Sequence, residues 1–211
     1  DPGLRADVIH LACKFIPSVA LLRRLQIEKS NSCRAGILLA LSEYESGDVI
    51  QAGSGLYGDE TAFLDSLFYA YVNDPDAEVH SCLEFLLRSW GHDSQLEMLR
   101  PLLEQKLIPF DGGWFRPFYS STMVVIPGPR HERLGLALSP SDLTSRAVEK
   151  DDEQTREVTL PYSFAISTTE VTHEQFWRVK PDYWKNAFPE SPEYPANFVR
   201  WADAAEFCNR L

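Results

Sequence analysis

The sequence predicts an α+β chain in two parts, helical repeats first and a mixed strand and helix unit second. Three observations predict it. Apolar residues recur at helical spacing up to about residue 106, the periodicity then switches to two-fold, and a complete helix-capping signature follows the strands. With 44% hydrophobic and 24% charged residues over 211 positions, the chain can build a packed core and is neither disordered nor collagen-like. Lys+Arg number 20 against Asp+Glu 31, a net charge of −11, and no basic stripe stands out. Nucleic-acid and anionic-membrane partners both need clustered Lys/Arg, so neither is expected.

In the first part, Ile37, Leu38 and Leu41, and again Leu83, Leu86 and Leu87, fall on one helix face. The region also repeats itself. Leu4–Ala12 aligns with Cys33–Leu41, 29 residues on, and with Val79–Leu87, 46 further on. Arg5, Arg34 and His80 share a register, each followed by a small residue (Ala6, Ala35, Ser81) and an apolar ridge. Helical units recurring at such periods mark α-solenoids, whose units bury their apolar faces only against neighbours. With Asp1-Pro2 before Arg5 and Asp74-Pro75 before Glu78, the pattern resembles HEAT-type repeats, expected over residues 1–107.

Residues 108–122 read as a linker that packs on its neighbours, since Ile108–Ser121 holds two prolines, a Gly-Gly pair and five aromatics. Met123-Val124-Val125-Ile126 then reads as a short buried strand stopped by Pro127-Gly128-Pro129. Residues 139–157 are polar, an expected loop. Val158, Leu160, Tyr162, Phe164 and Ile166 alternate, which predicts one strand with an inward face. Val171-Thr172-His173-Glu174-Gln175-Phe176 is a capping box with a Val171 to Phe176 staple, predicting a helix over 173–180 that Lys180-Pro181 ends. Residues 181–197, with four prolines, predict an irregular loop, and a second helix is expected from Trp201 or Ala202 with Asp203 in its first turn.

Candidate chemistry is sparse. Gly53-Ser54-Gly55-Leu56-Tyr57-Gly58 matches G-x-G-x-x-G, but Asp59-Glu60 would repel phosphate at the helix start. A loop between helices is expected there instead. His131-Glu132 and His173-Glu174 lack the second histidine of H-E-x-x-H, and His173 is expected to be exposed. Asp151-Asp152-Glu153 reads as a solvated charge run. Cys13, Cys33, Cys82 and Cys208 form no C-x-x-C pair and are expected to be buried free thiols, which fits a reducing, cytoplasmic compartment. The most apolar run, Val8 to Leu22, is interrupted by His10, Lys14 and Pro17 and is shorter than the ~20 residues of a membrane span. No catalytic, cofactor-binding or metal residue is assigned.

Residues 123–211 resemble the opening of a formylglycine-generating enzyme domain, the sulfatase-modifying factor family. The residues that carry the resemblance are Met123–Gly128, then Val158, Leu160, Phe164, Ile166, Glu170, Val171, Thr172 and Phe176 in family order and spacing, then Pro195–Asn209 around Trp201, Asp203, Phe207 and Cys208. Arg133-Leu134-Gly135 stands where the family has Met-Gly, and Arg200 replaces the usual capping serine, a loss of roughly 0.5–2 kcal/mol. The resemblance implies a variant of the C-type lectin fold and, for the complete domain, oxidation of a partner protein's cysteine to formylglycine with copper and O2. The family's copper-binding cysteine pair and calcium sites lie downstream of Leu211, and Cys208 corresponds to a core helix position. The order of parts is similar to large multidomain bacterial proteins in which a Ser/Thr kinase domain precedes.

The chain thus reads as a segment of a longer protein with no activity of its own. Two other functions stay open, a lectin-like binding module with the repeats as a protein-docking platform in a signalling protein, and a purely structural solenoid. A protein partner, a sulfatase-like or signalling protein, is expected in the first two. The second part alone is expected to be unstable, its Ala205, Phe207 and Leu211 stripe lacking partners.

Overall fold

The computed structural model describes residues 2–105, 113–117, 121–134, 155–185 and 191–211. The architecture is α+β: among the described residues, helices fill the first part and short antiparallel strands with two helices fill the second. The helices are α1 (Pro2–Phe15), α2 (Ser18–Ile27), α3 (Asn31–Leu41), α4 (Ser46–Tyr57), α5 (Glu60–Asn73), α6 (Ala77–Ser89) and α7 (Asp93–Glu104).

Short polar side chains set several starts. Ser30 accepts from Cys33 N, Asp59 from Ala62 N and Asp76 from Val79 N, each satisfying an orphan amide of the first turn. Gly58, at φ 109°, ends α4 in a conformation that disfavours any side chain.

The helices lie in two rows. The three helices that align in sequence, α1, α3 and α6, pack side by side; α2, α4 and α5 form the second row, with α7 against α5 and α6. Between the rows sit Leu38, Leu41, Phe63, Leu83, Leu86 and Leu87, none more than 2% exposed. Arg5 donates to Ser32 O at 3.2 Å and to Glu78 at 2.7 Å, while Arg34 donates to Asn31 and Asp74. The arginines that share a register therefore tie the first row together at its polar edge.

Within the stretch read as a linker, Gly113–Phe115 forms a strand, β1. It pairs antiparallel with β2 (Met123–Ile126), expected to be buried but with only Val125 buried and its other three residues half-buried, and β2 pairs in turn with β5 (Phe164–Ser167). A separate two-stranded ribbon joins β3 (Arg130–Leu134) to β4 (Arg156–Leu160). The single inward-facing strand expected over 158–166 is thus two strands in two sheets, and its alternating residues form no buried face: Val158 and Leu160 are half-buried, while Tyr162, Phe164 and Ile166 are exposed. Pro161 cannot donate to a ladder, and Gly128 N bonds Ser163 Oγ at 3.0 Å, turning the chain there. Most of the expected 139–157 loop, with Asp151-Asp152-Glu153, lies outside the described residues; Arg156 and Glu157 are already in β4.

Helix α8 (His173–Val179) starts on the expected capping box: Gln175 N donates to Thr172 Oγ1 at 3.2 Å and Thr172 N to Gln175 Oε1 at 3.0 Å. A 3-10 helix (Pro181–Lys185) follows, and α9 (Trp201–Arg210) begins at Arg200 without a side-chain cap. Phe207 is not left without partners. It stacks on Phe176 with ring centroids 5.1 Å apart, beside Tyr183, with Val171 and Val199 against the cluster. Lys180 adds ion pairs to Asp203 and Glu206.

Candidate functional site

The two parts meet along a seam built on α6. His80, in the register of Arg5 and Arg34, is fully buried. Its ring lies between Tyr71 (centroids 4.6 Å, planes 11° apart) and Trp114 (3.5 Å, 16°). The carbonyl of Tyr71 can only accept, so His80 Nδ1 carries the proton across that 2.7 Å bond, and in the neutral ring Nε2 accepts from Thr122 Oγ1 at 3.0 Å. Trp114 Nε1 donates to Asp74 O at 2.8 Å, at the loop where Arg34 is also held. Strand β1 therefore anchors in the helical core with its one indole, although its neighbours in the sheet belong to the second part.

Arg116 follows β1 and is 6% exposed. Its Nη1 donates to Tyr71 Oη at 3.2 Å and to the Glu84 carboxylate at 3.3 and 3.4 Å. Glu84 also receives Arg88 Nη2 at 2.9 Å. Burial works to raise the Glu84 carboxyl, but Arg116 and Arg88 overcome it and hold the group below the usual carboxylate range. Burial likewise pushes the Tyr71 phenol upward, so it stays a neutral hydrogen-bonding group.

Beside this seam opens a cleft of about 530 Å³, within the size range of ligand pockets. One wall is α6 and α7; the other is Ser121–Thr122, Thr168–Thr169 and α8. The capping box reaches it directly. Gln175, besides closing the box, donates through Nε2 to Ser121 Oγ at 3.1 Å, and Thr169 Oγ1 donates to the same oxygen at 2.8 Å. The residues that start α8 thus also shape the cleft wall.

None of the candidates singled out in the sequence lies on this cleft except the His173-Glu174 pair, represented there by Glu174. Gly53 and Gly55 are inside α4, not in a loop; Gly53 is buried because the Phe63 ring covers it, and a Cβ there would meet that ring at 2.5 Å. His131 is exposed on β3 and bonds Thr159. His173 is 1% exposed rather than on the surface, because the first turn of α8 faces the Phe176 cluster. Tyr183 gives its proton to Asn197 O, so His173 Nδ1 donates to the phenol oxygen at 3.3 Å. Of the cysteines only Cys82 is buried; Cys33 and Cys208 are exposed, since α3 shows its N-terminal turn and α9 its Cys208 face to solvent.

For copper or calcium, the described residues do not fit: no group of three or more His, Cys, Asp or Glu could hold a metal ion, and the four cysteines stay single. Among the described residues no helix is long and apolar enough to cross a membrane. Searches of family models, curated proteins and solved structures returned no match for this chain.

Proposed function

We propose that the chain is the opening part of a sulfatase-modifying-factor-like, protein-directed domain of C-type lectin type, carried on a HEAT-like helical platform. The complete domain oxidises a cysteine of a partner protein, and these 211 residues serve it by holding and orienting that partner.

One observation carries this reading. The three separated stretches that resemble the family form one contiguous unit, β2 on β5, then α8, then α9 packed on α8 through Phe207 and Phe176, and the Trp114–His80 stack clamps that unit to the helices. A partner bound on the platform would therefore keep a fixed orientation toward the domain.

The test is the fate of the thiol in a Cys-x-Pro-x-Arg peptide incubated aerobically with copper and the complete protein, read by mass spectrometry. Conversion to the aldehyde supports the reading. An unmodified peptide, with partner capture retained, selects the binding-module function instead.

A further inference from the structure

The cleft between the helices and the second part carries hydrogen-bonding capacity that the fold itself leaves unused. Arg116, more than nine-tenths buried and lining the cleft, has no acceptor for its Nε–H, and neither does the hydroxyl of Ser81 on the facing helix. Buried donors are normally paired, and one left unmade costs about 1–3 kcal/mol. Ser121 accepts from both Thr169 and Gln175, so its own proton is free to donate. Three donors on residues that line one cleft call for an acceptor-rich ligand.

The charge pattern narrows the ligand. The guanidiniums at the cleft are already engaged by carboxylates, Arg88 by Glu84 and Asp93, Arg100 by Glu97, Arg116 by Glu84 and Arg178 by Glu174. A phosphate or sulfate would have to displace one of these and sit beside the rest. Three of the carboxylates at the mouth share those pairs but are more exposed than their guanidiniums, Asp93 at 58%, Glu97 at 48% and Glu174 at 46% against 37% for Arg88 and Arg178 and 26% for Arg100, and Glu193 is exposed as well. A neutral acceptor deep in the cleft and a cation at its mouth match both features. Extended polypeptide with a lysine or arginine side chain supplies them together, since each backbone carbonyl is a neutral acceptor.

We infer that this cleft binds an extended basic segment of a partner protein, its carbonyls taken by Arg116, Ser81 and Ser121 and its cationic side chain by the acidic rim. The inference deepens the protein-directed function proposed above and rests on it for the owner of the segment.

The probe is an acetylated, amidated peptide of alternating lysine and serine, with its glutamate counterpart as control, titrated into the 211-residue chain. The lysine peptide should bind and the glutamate peptide should not. The rim variant Glu174→Gln/Glu193→Gln should weaken binding about fivefold, the scale of exposed charge pairs. Asp7→Asn/Glu60→Gln, exposed acids away from the cleft with the same net-charge change, should leave it unaltered. Ser81→Ala should weaken binding while keeping the thermal melt of the parent. Equal loss in both double variants, no binding of the lysine peptide, or binding of the glutamate peptide or inorganic phosphate in its place would overturn the inference. Because the probe has no cysteine, such a failure is separate from failure of the thiol-oxidation assay.

Discussion

Trp114 lies flat on His80, ring centroids 3.5 Å apart and planes 16° apart, and with that contact a strand of the second part becomes part of the helical core. The indole is 5% exposed and donates to Asp74 O, so the contact joins dispersion, stacking and one directed hydrogen bond. Trp114→Ala should cost about 3–5 kcal/mol, the range for removing a large buried aromatic. Trp114→Phe keeps most of the stack and loses the bond to Asp74, a loss of about 1 kcal/mol. Chemical denaturation of the three proteins checks the order; an alanine variant as stable as the parent would show that the seam contributes nothing.

Gly53 is covered by the Phe63 ring, which a Cβ would meet at 2.5 Å. Alanine normally stabilises a helix interior, so propensity alone predicts a gain of about 1 kcal/mol from Gly53→Ala. Overpacking opposes it at about 1–3 kcal/mol, and because Phe63 is itself 1% exposed it has little room to yield. The expected outcome is a lower Tm, with Gly55→Ala on the same helix, where nothing crowds the added Cβ, as the internal contrast.

Acid should loosen α9. Hydrogen bonds from Arg200, then Lys180, pull the Asp203 carboxyl down to about 2, below its unfolded value of about 3.9. A depressed carboxyl favours the folded state when ionised, so its contribution is complete above about pH 4 and lost as the pH falls toward 2. The stability difference between the parent and Asp203→Asn should therefore shrink over that interval. A difference that stays constant from pH 5 to pH 2.5 would remove Asp203 from the account.

The cysteines should separate by reactivity. Burial pushes the Cys82 thiol up to about 11, and the side chain is 7% exposed, whereas Cys33 and Cys208 are exposed. At pH 8 iodoacetamide should label Cys33 and Cys208 in the native chain and reach Cys82 only on unfolding, because the thiolate is the reacting form. Peptide mapping of the alkylated protein reads this directly.

Local signals were legible before the fold was known. The capping box at Thr172 and Gln175, the strand at Met123–Ile126 and the alignment that placed α1, α3 and α6 in equivalent positions all rest on near-neighbour chemistry, and each has its expected secondary structure. The cleft was not legible, because it needs contacts across long stretches of chain, Arg116 to Glu84 and Gln175 to Ser121. A signal existed in His80, which replaces an arginine in an otherwise matching register and so asks for a different partner. Trp114 and Arg116, in a stretch read only as linker, supplied it. The misplacements of His173 and Cys208 have the opposite cause: on a short helix that packs on one face, one residue of rotation decides burial, and sequence spacing alone does not set that rotation.

The central claim is that the helices and the second part present one binding cleft to a partner polypeptide, and amide hydrogen exchange of the 211-residue chain with and without the lysine and serine peptide tests it most directly. The account predicts slower exchange on both walls together, around Asp93 at the start of α7 and around Ser121–Thr122 and Thr168–Thr169, with Gly47–Gly55 of α4 unchanged. Protection confined to one wall, or appearing only on the acidic surface remote from Arg116, would contradict it.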